Sequence, residues 1–165
     1  MTNDKALPAR PATPDIDGLR SQLSHLGLDF AAQSLGDLLT DAAKADEGGP
    51  GLLSRLLEHE RSQREERRIR TSLKLSGLPT GQTISGFDFS FQPSVERSRI
   101  ETLATCSWIR GEQSLLILGP PGVGKTHLAI ALGVRAIECG LSVAYYRVEE
   151  LMHAMRRKRQ TAARC

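Results

Sequence analysis

Residues 119–126 read Gly-Pro-Pro-Gly-Val-Gly-Lys-Thr. These types at this spacing fit the pattern G-x-x-x-x-G-K-[ST], a loop suited to holding a triphosphate. Such a ligand brings several negative charges and many acceptor oxygens. Gly119, Gly122 and Gly124 let the backbone turn tightly and keep side chains out of the way. The loop's N–H groups can then converge on the β-phosphate as an anion nest. A helix opening near Gly124 adds its free N-terminal N–H groups and the positive end of its dipole. Lys125 is placed to reach the β- and γ-phosphates, and the Thr126 hydroxyl to hold Mg²⁺. Pro120 and Pro121 fix φ on the near side of the loop and reduce the entropy lost on binding. The expected ligand-binding set is therefore Gly119, Pro120, Pro121, Gly122, Val123, Gly124, Lys125, Thr126 and His127, the last packing behind the others rather than acting as a catalyst. Thr126 is the one expected metal contact, and no residue is assigned as catalytic.

The elements around the loop are what this chemistry needs. Leu115-Leu116-Ile117-Leu118 is a short apolar run, the pattern of a buried strand feeding the loop. Apolar residues recur at helical spacing from Thr126 to Cys139, and Gly140 suits the position just past a helix end. Ser142 to Tyr146 reads as a second strand. Strand, loop, helix and strand make one βαβ unit with a right-handed crossover. The fold class expected is α/β, a P-loop core with a helical region before it.

Upstream, residues 1–16 carry Pro8, Pro11 and Pro14 among small polar residues and read as a disordered tail. Residues 17–76 read as a helical region. Leu19, Leu23 and Leu26 mark a first helix, and Leu35, Leu38 and Leu39 a second with Ser34 as its cap. Gly48, Gly49, Pro50 and Gly51 interrupt, and a long helix follows from Leu52 to about Leu75. Its middle, Arg61 to Arg70, is strongly charged. Pairs such as Glu60 with Arg64 would lace a solvated face; the other reading is a basic face for DNA or a protein partner. Residues 77–86 form a linker, and residues 87–165 the nucleotide-binding part. Phe87, Phe89 and Phe91 alternate, as in a short core strand or a segment packed near a nucleotide base. Pro93 to Arg110 reads as one helix, and Glu149 to Arg159 as another that ends in the basic run Arg156 to Arg159.

Composition narrows the classes. The net charge is +3, compatible with a nucleic-acid partner without requiring one. Aromatics are 4% of residues, too few for a surface that stacks many bases. Cys106, Cys139 and Cys165 are spaced for neither a disulfide framework nor a metal site, and they fit a reducing cytoplasm. No apolar run reaches transmembrane length.

The stretch Leu115 to Ile130, LLILGPPGVGKTHLAI, resembles the IstB family, ATP-binding helpers of insertion-sequence transposases. It is also similar to DnaC-type helicase loaders, and both are AAA+ P-loop ATPases. The resemblance takes in Leu57-Glu58-His59-Glu60, Phe87-Asp88-Phe89 and Glu150-Leu151-Met152. It implies ATP with Mg²⁺, self-association on non-specifically held DNA, and a partner transposase. It also implies an N-terminal region for partner or DNA contacts and an adenine near Phe87 to Phe91. A helicase loader, or a non-catalytic DNA- or protein-binding fragment, stays open beside it.

Hydrolysis asks for more. An acidic residue at the end of a second strand must support Mg²⁺ and orient the attacking water. After Thr126 the only carboxylate side chains are Glu138, Glu149 and Glu150, and none follows an apolar strand. No arginine matches the family's finger. The expectation is a truncated P-loop domain that binds nucleotide and has an incomplete sheet.

Overall fold

A computed structural model describes residues 15–162, with backbone alone at 154 and 157–162. The tail expected over residues 1–16 lies outside the described residues except for Asp15 and Ile16. The chain divides into two compact units, Met1–Arg67 and Arg68–Cys165.

The first unit is helical. Helix α1 spans Ile16–His25, α2 spans Asp29–Lys44, and α3 spans Gly49–Ser76, running past the end of the unit. The start of α1 is fixed by Asp15, whose Oδ1 accepts the Gly18 N–H at 2.7 Å. Alanine at Asp15 leaves that N–H to water and is expected to lower stability by about 1 kcal/mol, read as a shift in the urea midpoint of α1 unfolding. Ala31, Leu35 and Leu56 form the core, with Leu19, Leu23, Leu28, Leu38 and Leu39 packed against it. Two expectations fail here. Leu26 is exposed, because α1 ends before it at His25. Ser34 caps nothing: α2 begins five residues earlier, and the Ser34 hydroxyl donates to the Phe30 carbonyl at 2.9 Å within the helix.

The true cap of α2 comes from far along the chain. Leu28 at the N-cap position has no side-chain oxygen to offer. Glu60 supplies it from α3, accepting the Ala31 N–H at 2.7 Å. Arg64, one turn further on, donates to the other Glu60 oxygen at 2.6 Å and also to the Gly27 carbonyl. The charged run is thus partly internal: Arg61 pairs with Glu58 at 2.8 Å, and Arg64 with Glu60.

In the second unit, residues 77–86 carry no regular element, and α4 (Arg97–Leu103) and α5 (Ser107–Arg110) follow. The single helix expected from Pro93 to Arg110 is broken at Cys106, which sits in the left-handed region at φ 58°. The Trp108 indole N–H folds back to the Leu103 carbonyl at 3.0 Å and closes the end of α4. Helix α6 spans Lys125–Glu138. It ends as expected at Gly140, whose N–H reaches the Ile137 carbonyl at 3.0 Å while the Leu141 N–H reaches that of Ala136 at 2.9 Å. Arg68 adds a bond to the Ile137 carbonyl at 3.0 Å. Helix α7 spans Val148–Ala162, where the side chains of 157–159 in the expected basic run lie outside the described residues.

The described residues do not confirm the α/β expectation. Among the described residues there is no strand. Leu115–Leu118 and Ser142–Tyr146 run without a ladder partner, and a strand is defined by its partner, not its composition. Leu116 and Leu118 are 77% and 80% exposed, so the apolar run is not the buried strand its residues suggest. The second segment keeps the alternation of a strand: Leu141, Val143 and Tyr145 are half-buried, with exposed residues between them. Its Tyr145 N–H bonds the Ser76 carbonyl at 2.8 Å, closing the end of α3 instead of a sheet. Phe87 to Phe91 is likewise a succession of turns and not a strand.

Candidate functional site

The phosphate-loop residues lie at the start of α6, and the core beneath them explains why that helix end holds its place. Leu128, in the first turn of α6, packs with Phe87 and Ile100, and Ile84, Phe89, Val95 and Leu103 surround them. Full burial of a side chain such as Leu128 contributes roughly 1.5–3 kcal/mol. Gly124 forms the N-cap in the left-handed region at φ 82°, so the loop enters the helix without a side chain at the turn. A Cβ at Gly124 would stand 2.5 Å from Phe87 Cε2, so the aromatic ring occupies the space that the glycine leaves open.

The first helical bond runs from the Leu128 N–H to the Gly124 carbonyl at 3.0 Å, so the N–H groups of Lys125, Thr126 and His127 have no partner within α6. That is a cluster of unsatisfied donors at a helix N-terminus, the arrangement an anion satisfies. Lys125 Nζ donates to the Pro120 carbonyl at 2.5 Å, which stretches its side chain across the loop and keeps the ammonium within it. Val123 packs over Gly119, where an added Cβ would meet Val123 Cγ2 at 3.4 Å. Thr126 is exposed at the same helix end.

His127 turns away from the loop. Its Nε2 lies 2.8 Å from the Thr83 carbonyl, across 44 residues of sequence. A carbonyl only accepts, so Nε2 carries the proton. The ring meets Phe87 edge-on at 5.4 Å, and Phe87 meets Phe89 in the same way at 4.9 Å. Spacing could not reveal this partner, because the Thr83 acceptor is backbone.

Beside the loop lies a cleft of about 250 Å³, whose walls include Gly86, Asp88, Phe91, Gln92, Gly122 and His127. Phe91 borders it with 73% of its surface exposed. Asp88 orders that wall: its Oδ1 accepts from Ser90 Oγ at 2.5 Å, from the Ser90 N–H at 2.9 Å and from the Phe91 N–H at 3.3 Å. The Ser90 hydroxyl first, then the two backbone N–H groups, hold the Asp88 carboxyl below the usual carboxylate range. The order this gives the turn is present above the ordinary carboxylate pKa and is lost as pH falls through the lowered one.

Two of the three carboxylates that follow Thr126 are engaged elsewhere. Glu138 pairs with Arg135 at 2.8 Å at the far end of α6, roughly 20 Å along the helix from Lys125. Glu150 accepts the Arg147 N–H at 3.1 Å at the start of α7. No cluster of His, Cys, Asp or Glu fit to hold a metal occurs among the described residues. None of the described helices is long and apolar enough to cross a membrane.

Comparison with known proteins places the chain in a family. The model for the IstB-like ATP binding protein family matches residues 21–164. A relative from Geobacillus stearothermophilus, named for insertion sequence IS5376, is 46% identical over 66% of this chain and 43% of its own length. One from Pseudomonas aeruginosa, named for IS21, is 36% identical over 84% of this chain and 52% of its own. One from Bacillus thuringiensis subsp. berliner, named for IS232, is 30% identical over 84% and 56%. All three names carry ATP binding as a provisional assignment. The chain spans about half the length of the curated relatives it matches. The family match covers both the helical region and the phosphate loop, and the chain belongs to the IstB-like ATP-binding proteins.

Proposed function

We propose that this chain binds ATP with Mg²⁺ through Gly119–Thr126 and serves as the nucleotide-binding component of an insertion-sequence transposition system. The observation that carries the first half is the loop: the N–H groups of Lys125, Thr126 and His127 at the N-terminus of α6 have no partner within the helix, and the Lys125 ammonium lies beside them. The relatives' names, each taken from an insertion sequence, support the second half. The partners on this reading are a transposase, DNA held without sequence preference, and further copies of the protein, all in the cytoplasm.

Each part of the ligand has a place. The loop N–H groups and Lys125 bind the β- and γ-phosphates, and the Thr126 hydroxyl is the protein ligand to Mg²⁺. The metal, when bound, neutralises charge developing on the phosphate oxygens. The base lies in the cleft beside Gly122, against the exposed ring of Phe91, where stacking contributes about 1–3 kcal/mol. The sheet of an α/β P-loop core forms when Leu115–Leu118 gains strand partners, which would bury Leu116 and Leu118. Hydrolysis is not expected of these residues alone, because Glu138 and Glu150 are committed to other bonds and Glu149 lies in the first turn of α7, not at the end of a strand.

The test is ATP affinity and turnover of the purified chain with Mg²⁺ and DNA, beside Lys125→Ala. Wild type should bind without turnover, and the variant should bind at least a hundredfold more weakly, about 2.7 kcal/mol. Equal affinity in the two proteins refutes the loop assignment.

A further inference from the structure

We infer that His127 is the positioning residue that holds residues 83–87 against the phosphate loop, and that it sets affinity for the base of the nucleotide rather than for its phosphates. The inference rests on the reading of 119–126 as a phosphate loop and deepens it.

Three observations converge on His127. Its Nε2–H donates to the Thr83 carbonyl at 2.8 Å, a bond from the first turn of α6 to a segment with no helix or strand of its own. Its ring edge supports Phe87 at 5.4 Å. Phe87 in turn fills the space at Gly124 and stands at the junction of the loop and the cleft. Local bonds alone do not fix this segment. Gly86 N–H reaches Thr83 Oγ1 at 3.1 Å and Phe87 N–H reaches the Ile84 carbonyl at 3.3 Å, which shape a turn but attach it to nothing. The imidazole bond and the Phe87 contacts attach that turn to α6. The cleft wall from Gly86 to Gln92 follows directly from it.

The chemistry separates the two ends of the ligand. The N–H groups of 122–127 and Lys125 belong to the loop and to α6, and they need nothing from His127's side chain. Most of the wall against a base, Gly86, Phe87, Asp88, Phe91 and Gln92, lies in or directly follows the segment that His127 anchors. Loss of the imidazole should therefore weaken binding of a nucleotide while sparing a ligand made of phosphate alone.

The experiment measures Mg²⁺-dependent binding of ATP and of inorganic tripolyphosphate to the full chain and to His127→Ala, His127→Gln and Lys125→Ala. Glutamine can place its amide nitrogen near the position of Nε2 and keep a donor for Thr83. Expected for His127→Ala is about a tenfold loss for ATP, equivalent to about 1.4 kcal/mol, with tripolyphosphate changed less than twofold. His127→Gln should recover most of the ATP affinity. Equal losses for both ligands in His127→Ala would overturn the inference, since His127 would then shape the phosphate loop itself. No loss for either ligand would overturn it too, and so would a glutamine variant as weak as alanine. The parent reading fails differently: Lys125→Ala would leave both ligands unaffected, or wild type would bind neither.

Discussion

Alanine at Gly124 should abolish measurable nucleotide binding, and the loss should exceed that from alanine at Gly122. Both glycines have φ 82°, where an L-residue is strained by about 1–2 kcal/mol. That strain is common to the two. What differs is the space. A Cβ at Gly122 meets nothing within 4 Å, whereas one at Gly124 stands 2.5 Å from Phe87 Cε2 and 3.2 Å from Cζ. Phe87 cannot yield easily, because it is buried with Ile100 and Leu128 and braced by Phe89 and His127. Overpacking of this kind adds about 1–3 kcal/mol. The least strained relief is for the loop to leave its turn, which scatters the N–H groups of 122–127. Titration with a fluorescent ATP analogue should show about a tenfold loss for Gly122→Ala and at least a hundredfold loss for Gly124→Ala. Phe87→Leu in the Gly124→Ala background should recover part of the affinity, since leucine frees the space that Cε2 and Cζ fill; the four proteins form a double-mutant cycle. If the two glycine variants bind alike, the Phe87 contact is not what Gly124 serves.

The turn into α6 was legible because its information is local. Gly119, Gly122 and Gly124 take positive φ and Lys125 opens the helix, all within eight residues. The helix after it was legible for the same reason, from apolar spacing to Gly140. Pairing of Glu60 with Arg64 also followed from i,i+4 spacing. What spacing could not carry was the partner 29 residues back, the Ala31 N–H that makes Glu60 a cap and a buried group instead of a solvated one. The break at Cys106 was hidden because neither glycine nor proline marks it; the Trp108 indole and a left-handed cysteine make it. Leu115–Leu118 misled in the opposite direction. Its composition is that of a buried strand, but strand formation depends on neighbours that no local pattern encodes, and the described residues supply none.

The cap at Glu60 should dominate the stability of the first unit. Its side chain is 4% exposed and accepts two short bonds, from the Ala31 N–H at 2.7 Å and from Arg64 at 2.6 Å. The Arg64 side chain is about half exposed, so solvent screens the attraction between the two charges, and the pair itself is worth little. The bond to Ala31 is different. It is buried, it is charge-assisted, and it satisfies one of the orphan donors of α2 where Leu28 offers no cap. Glu60→Ala strands that N–H and opens a gap beside the Ala31–Leu35–Leu56 core, for an expected loss of about 2–3 kcal/mol. Glu60→Gln keeps an acceptor for Ala31 without the charge and should lose about 1 kcal/mol. Arg64→Ala should lose less than either, about 0.5 kcal/mol. Urea unfolding followed by far-UV circular dichroism orders the three, and amide exchange at Ala31 locates the effect. Exchange there should accelerate sharply in Glu60→Ala and stay slow in Arg64→Ala. If Arg64→Ala is the more damaging, or if the Ala31 amide keeps its protection without Glu60, the ion pair and not the cap holds α2 against α3.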